Sequence, residues 1–180
     1  MMNTRLKWKT AIASTVEEEE PVKPFKRILV ATDFSAASAP AMREAVELAQ
    51  DVGSMLLVAH AYQAPNIAQA DAVAPGVYEE WDRNLRLGVE AKLKPLVEEA
   101  RKAGVNARPL VLCGAPYEAI ADAVKEHKAD LVVMGTHGRQ GVSRFFLGSV
   151  ASRVISTVSC PVMTVRASSE MAESKRRKAS

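Results

Sequence analysis

Short, almost continuously apolar runs alternate with segments of helical periodicity along the middle of the chain. Apolar runs of this kind are typical of strands that are covered on both faces of a parallel sheet. Strand–helix–strand alternation gives such a sheet, with right-handed crossovers and helices on both faces. The sequence therefore predicts the order βαβαβαβαβ, with strands over residues 27–32, 54–61, 105–113, 131–134 and 162–165 and helices over 38–50, 78–103, 116–127 and 148–157. Pro95 lies inside the longest helix, where we expect a kink or a break.

Composition narrows the class of protein. Of the 180 residues, 48% are hydrophobic, which is enough to bury a core. No apolar stretch approaches the roughly 20 residues of a membrane span, and a formal net charge of +3 does not indicate nucleic-acid binding. Cys113 and Cys160 form neither a metal pair nor a disulfide framework and are expected as buried thiols. We expect a cytoplasmic protein that needs neither a membrane nor a nucleic-acid partner.

The two ends of the chain differ from its middle. Residues 1–23 carry a block of four glutamates at 17–20, and residues 167–180 are polar and basic. The apolar run near the start is too short for a secretory signal, and the glutamates argue against a transit peptide. We expect flexible tails at 1–23 and 167–180 around a single domain over 24–166.

The segment after the fourth predicted strand has the chemistry of an anion cradle. No Asp or Glu occurs from 131 to 169, although several arginines do, which indicates a nearby anion unless the stretch is simply buried strand. Gly135 and Gly138 let backbone N–H groups approach a phosphate, and the helix that begins at Ser149 favours negative charge. Arg139 adds positive charge, and His137 is the histidine best placed to meet a phosphate. A glycine-rich turn without a ligand is the alternative.

Asp33 follows the first predicted strand directly. Ligands of open parallel sheets bind at the carboxyl ends of the strands, beside the point where the strand order reverses. A carboxylate there accepts hydrogen bonds from a ribose or holds a metal, and capping of the next helix is an equally good role. Neither a Walker A loop nor a dinucleotide fingerprint is present, so a nucleotide site would be of another type. Elsewhere, His60 is expected to be a satisfied core histidine and Trp81 to pack on the long helix.

One spacing in the glycine-rich segment is specific. The pattern consists of Gly-x-x-Gly, then nine residues, then Gly-Ser. It is matched by Gly135, Gly138, Gly148 and Ser149. This pattern resembles the nucleotide loop of the universal stress protein family. The runs 28–35, 129–138 and 160–165 resemble the first, fourth and last strands of that family, so the resemblance covers about residues 25–166.

The resemblance implies an α/β three-layer sandwich with a five-stranded parallel sheet, of the Rossmann-like adenine-nucleotide α-hydrolase type. Members with the intact glycine motif typically bind ATP, so it implies an ATP-binding regulator or adaptor in the stress response, with Mg²⁺ as a companion of the nucleotide. It also implies a homodimer through the last strand, Val162–Val165. An edge strand of this composition independently favours self-association.

The resemblance also implies a set of binding residues. Asp33 would contact the ribose, and the backbone of Ala61 would meet the adenine, against which we also expect Met134. The full set is Ala31, Thr32, Asp33, Ala61 and Met134 for the adenosine; Gly135, Thr136, His137, Gly138, Arg139, Gln140 and Gly141 for the ribose and phosphates; and Gly148, Ser149, Val150 and Ala151 for the outer phosphates.

No catalytic or metal-binding residue is predicted. The glycine-rich loop holds no carboxylate that could act as a base, so we expect at most weak ATP hydrolysis. Two alternatives remain: a slow ATPase on the same fold, and a nucleotide-free dimeric chaperone or adaptor that acts through its tails or the 62–77 loop.

Overall fold

The computed structural model describes residues 25–64, 76–136 and 147–167. Strands and helices alternate through these residues in the predicted order. The elements are β1 (Arg27–Ala31), α1 (Ala39–Val52), β2 (Met55–Tyr62), α2 (Val77–Lys102), β3 (Asn106–Cys113), α3 (Pro116–His127), β4 (Leu131–Gly135), α4 (Ser149–Thr157) and β5 (Val162–Val165). The predicted tails, 1–23 and 167–180 apart from residue 167, and most of the predicted 62–77 loop lie outside the described residues.

The five strands form one parallel sheet in the order β3-β2-β1-β4-β5. In the centre of the sheet, Ala31 of β1 is paired with Ala59 of β2 on one side and with Met134 of β4 on the other. The chain after β1 continues towards β2, whereas the chain after β4 continues towards β5. The strand order therefore reverses between β1 and β4, and their carboxyl ends border a crevice.

Helices cover both faces of the sheet, as the three-layer sandwich requires. Ile28 and Val30 of β1 belong to a core cluster with α1 and α2, whereas Leu29 belongs to a second cluster with α3 and α4. All three side chains are fully buried, which explains why this strand is apolar without alternation. The predicted fold class is confirmed.

Helix α2 runs without a break from Val77 to Lys102, although Pro95 lies inside it. Pro95 faces solvent, so water can satisfy the carbonyl that loses its partner. Leu93 and Val97, on either side of the proline, are buried in the core and hold both halves of the helix to the sheet. No helix among the described residues has the length and apolar character that a membrane span requires.

Two side chains that were expected inside lie at the surface. Cys113 is exposed because it ends β3, which stands at the edge of the sheet, while Cys160 is half-buried. Trp81 is 51% exposed because it belongs to the first turns of α2, and the buried residues of that helix begin at Val89. The prediction of buried Cys113 and packed Trp81 was therefore wrong.

Leu93 and Leu87 offer a test of this packing within one helix. Leu93 is fully buried and Leu87 is 54% exposed. Leu93→Ala should lower the free energy of unfolding by about 2–5 kcal/mol, because it removes buried methyl groups and leaves a cavity. Leu87→Ala, the matched control, should change it by less than about 0.5 kcal/mol. Denaturant unfolding followed by circular dichroism measures both, and equal losses would contradict this placement of α2.

Candidate functional site

The chain leaves β1 and β4 at neighbouring points on the carboxyl edge of the sheet. Because Ala31 is paired with Met134, Thr32 and Gly135 follow side by side. Beyond β4, the N–H of Thr136 donates to the carbonyl of Val165 at 2.9 Å. The carbonyl of Thr136 in turn accepts from the N–H of Gly148 at 2.8 Å. The residue before α4 is thus bonded directly to the end of β4.

These bonds place the beginning of α4 at the crevice. Gly148 is the N-cap of α4, and among the residues that the structure describes no side chain caps the helix. The first N–H groups of a helix have no partner within the helix, and together with the helix dipole they favour an anion. The first turn contains no acidic residue, Ser149 is exposed, and Ala151 is buried and anchors the helix. This end of the site has the chemistry of a phosphate site.

Asp33 organises the turn that follows β1. Its Oδ1 accepts hydrogen bonds from the backbone N–H of Ser35 at 3.0 Å and from the Ser35 hydroxyl at 2.6 Å. Helix α1 begins later, at Ala39, with Ser38 as its N-cap. Asp33 therefore does not cap the helix, which was one of the two roles considered for it from the sequence.

Thr32 anchors the same turn to the sheet. Its N–H donates to the carbonyl of Ala59 at 2.9 Å, and its hydroxyl oxygen accepts from the N–H of Phe34 at 3.0 Å. The hydroxyl of Ser38 donates to the carbonyl of Ser35, so the Thr32 hydroxyl is the donor in its 3.1 Å contact with Ser38. The carbonyl of Thr32 accepts a hydrogen bond from the Nδ1 of His60 rather than from a neighbouring strand. Strand β1 accordingly ends at Ala31, one residue earlier than predicted.

The turn also sets the charge of Asp33. Partial burial would by itself raise the pKa of Asp33, but hydrogen bonds, above all those from the hydroxyl and the N–H of Ser35, outweigh it, and the pKa lies below its ordinary value. The side chain is therefore an ionised, acceptor-only group. Such a group suits the hydroxyls of a sugar.

The end of β2 borders the crevice next to β1 and is joined to α2. Ala61 is paired with Leu112 of β3, and the hydroxyl of Tyr62 donates to Oδ1 of Asp82 at 2.9 Å. Burial and the bond to Asp82 raise the pKa of the Tyr62 hydroxyl, so this group stays a donor. The sequence did not predict this bond, because neither residue carries a local signal for a contact across the intervening segment.

Part of the predicted binding set is brought together at this edge. Met134 lies at this edge, but its side chain is buried in the core cluster with α3 and α4, whereas it was expected to pack against the adenine. Within the described part of the chain, no three His, Cys, Asp or Glu side chains form a cluster that could hold a metal. The structure places Ala31, Thr32, Asp33, Ala61, Met134, Gly135, Thr136, Gly148, Ser149, Val150 and Ala151 at the carboxyl ends of β1, β2 and β4 or in the first turn of α4. His137, Gly138, Arg139, Gln140 and Gly141 lie outside the described residues.

Removal of one hydroxyl tests the electrostatics of this turn. Ser35→Ala deletes the 2.6 Å bond to Asp33, so the pKa of Asp33 should rise towards its ordinary value. A lowered pKa stabilises the fold above the ordinary carboxyl pKa, and this contribution is lost as the pH falls through the folded-state pKa. Ser35→Ala should therefore be less stable than wild type at neutral pH and approach it in acid.

A carboxyl NMR titration and thermal unfolding at neutral and acid pH measure these two effects. Ser152→Ala, on the exposed side of α4, is the control and should change neither. An Asp33 pKa that stays the same in Ser35→Ala would disprove the assigned cause.

Comparison with known proteins gives consistent matches. The model described as the universal stress protein family matches residues 24–166. A universal stress protein of Thermus aquaticus is 38% identical over 143 residues, which is 79% of this chain and 99% of that protein.

Two solved structures add information about fold and ligands. A universal stress protein in complex with cAMP superposes with a TM-score of 0.62 at 25% identity, covering 81% of this chain and 99% of that one. The universal stress protein of Archaeoglobus fulgidus in complex with dAMP superposes with a TM-score of 0.52 at 21% identity, covering 79% and 99%. The second likeness concerns the fold alone.

Proposed function

Because the chain belongs to the universal stress protein family, we propose that it binds an adenine nucleotide in the crevice between β1 and β4. One observation carries the proposal: the ionised Asp33 and the uncapped start of α4 lie at the same edge of the sheet. The first accepts hydrogen bonds and the second donates them. A nucleoside phosphate needs both, at its ribose and at its phosphate respectively.

The arrangement suggests how the nucleotide lies. The ribose hydroxyls donate to Asp33, and the backbone at Ala61, at the end of the neighbouring strand, contacts the adenine. The phosphates lie at the N–H groups of Ser149 and Val150, in the first turn of α4. The resemblance to the family assigns Gly138 and the cationic Arg139 to the ribose and phosphates. The cAMP bound by the first of the two similar proteins contains the adenine and the sugar phosphate that this pose requires.

The finer proposal is that ATP, with Mg²⁺, is the ligand and that a partner protein or the dimer responds to the bound nucleotide. The intact glycine motif supports a polyphosphate. Asp33 is engaged by the ribose in this pose, so it is not available as a base for an attacking water. We therefore propose binding with at most slow hydrolysis, in a cytoplasmic stress-response role.

Gly148→Val tests the nucleotide site without straining the backbone. Gly148 has φ −58°, which valine tolerates, but the added side chain would stand where the phosphates approach α4. Binding of ATP and AMP, measured by calorimetry with and without Mg²⁺, should fall by at least about a hundredfold for ATP, because N–H donors to a charged group are lost. Gly88→Val is the matched control, because a Cβ at Gly88 meets open space.

The same titrations separate the alternatives. No saturable binding to the wild type below about millimolar, which corresponds to about −4 kcal/mol, would refute the nucleotide proposal and favour the nucleotide-free adaptor. Equal affinity of wild type and Gly148→Val would mean that the loop is structural only. Rapid release of phosphate from ATP would instead favour the enzyme.

We further propose that the protein is a homodimer through β5. This strand stands at the edge of the sheet beside β4, and Met163 in it is 37% exposed. Ile155 of the adjacent α4 is 45% exposed. Among the described residues, no strand pairs with the outer side of β5. An apolar edge of this kind favours pairing with another strand, and two copies of β5 related by a twofold axis could pair with each other.

Met163→Lys tests the dimer. A charge at the proposed interface should shift the protein from two chains to one in size-exclusion chromatography with light scattering, because burial of an unpaired ammonium is costly. Leu87→Lys places the same charge on an exposed site of α2 and should leave the mass unchanged. A wild-type protein that elutes as a single chain would contradict the proposal.

A further inference from the structure

His60 of β2 contacts both residues that flank Asp33. Its Nδ1 lies 2.7 Å from the carbonyl oxygen of Thr32, and its ring centroid lies 4.3 Å from that of Phe34, at an interplanar angle of 34°. Since a carbonyl can only accept, Nδ1 carries the proton and donates. One side chain therefore holds the residue before Asp33 and the residue after it.

The contact with Phe34 restrains an unfavourable backbone conformation. Phe34 has φ 62°, in the left-handed region that an aromatic residue seldom adopts. Such a conformation persists only where the surroundings enforce it. Here the N–H of Phe34 donates to the hydroxyl of Thr32, its ring lies against His60, and Nζ of Lys92 lies 5.7 Å from the ring centroid.

The contact with Thr32 restrains the other side of Asp33. The peptide unit between Thr32 and Asp33 is planar, so a fixed carbonyl also fixes the orientation of the Asp33 N–H. The N–H of Thr32 is bonded to Ala59, also in β2. Asp33 is thus held on both sides by bonds and packing that lead back to β2.

We propose that His60 is a positioning residue that sets the Asp33 carboxylate for the ribose of the nucleotide. This inference rests on the proposed function and deepens it, because it assigns part of the affinity to a residue outside the predicted binding set. The family motif does not include His60, and the sequence suggested only a satisfied core histidine.

Two substitutions separate the hydrogen bond from the ring contact. His60→Asn keeps an N–H donor close to the place of Nδ1 but loses the ring, whereas His60→Phe keeps a ring without the donor. His60→Phe should weaken AMP binding by about tenfold, because the Thr32 carbonyl loses its donor and the turn relaxes. His60→Asn should lose less and stay within about threefold of wild type, because it gives up only the ring contact with Phe34 and keeps the donor to the Thr32 carbonyl, to which we assign the larger part of the effect.

A measurement on the nucleotide-free protein tests the positioning itself. NMR should show altered amide shifts at Asp33, Phe34 and Ser35 and a raised Asp33 pKa in His60→Phe, with smaller changes in His60→Asn. His127→Phe is the matched control, because His127 ends α3 at the amino ends of the strands, away from Asp33. It should change neither AMP affinity nor the Asp33 signals.

The outcomes are distinct. Wild-type AMP affinity and unchanged Asp33 signals in His60→Phe would overturn the inference, and so would an equal loss in His60→Asn and His60→Phe, which indicates general destabilisation. If the wild type binds no AMP or ATP, the proposed function fails and the assignment to affinity fails with it. The NMR comparison still decides whether His60 holds Asp33 in place.

Discussion

The parallel pairing of β1 with β4 is the constraint on which the site depends. It brings the turn at Asp33 next to the start of α4, although these residues are far apart in the chain. Hydrogen bonds at the amino ends of the strands also join β1 to the segment before β4. There the carboxylate of Asp130, just before β4, accepts hydrogen bonds from the N–H groups of Lys26 at 2.8 Å and Arg27 at 3.0 Å. Both ends of the β1–β4 pair are therefore defined, and the crevice has fixed walls.

The crevice carries a negative side chain near β1 and no negative side chain in the first turn of α4, which suits the two ends of the proposed nucleotide. Asp33 is ionised and held by Ser35 at the β1 side, where a sugar can use it. The β4 side continues into the stretch from 131 to 169 that contains no Asp or Glu. In the proposed pose, a carboxylate beside the phosphates would repel them, whereas one at the ribose would not meet them directly. Burial alone does not explain the acid-free stretch, because Ser149 at the start of α4 is exposed and the first turn of this helix holds no acidic residue.

The sequence predicted the strands and helices better than it predicted which of their side chains are buried. Each strand and helix of the described residues was predicted, since apolar periodicity reflects burial directly. The exposure of side chains at the ends of these elements was not predicted correctly. Cys113 was expected to be buried but is exposed at the end of an edge strand, and Trp81 precedes the packed part of α2. Pro95 was expected to kink or break a helix that continues through it because the core holds both sides. In each case the deciding information was the position of the residue relative to a neighbouring element, which a local pattern does not contain.

The sequence by itself determined the fold class and predicted the glycine-rich segment and Asp33 as parts of a site, because apolar period, glycine spacing and a carboxylate after a buried strand are local signals. Only the tertiary structure decided what Asp33 does in its turn: it accepts from Ser35 and leaves the capping position of α1 to Ser38. It alone joined His60 to Thr32 and Tyr62 to Asp82. The physical reason is that hydrogen bonds between side chains on different elements depend on how those elements pack. That packing is set by the whole sheet rather than by any one segment.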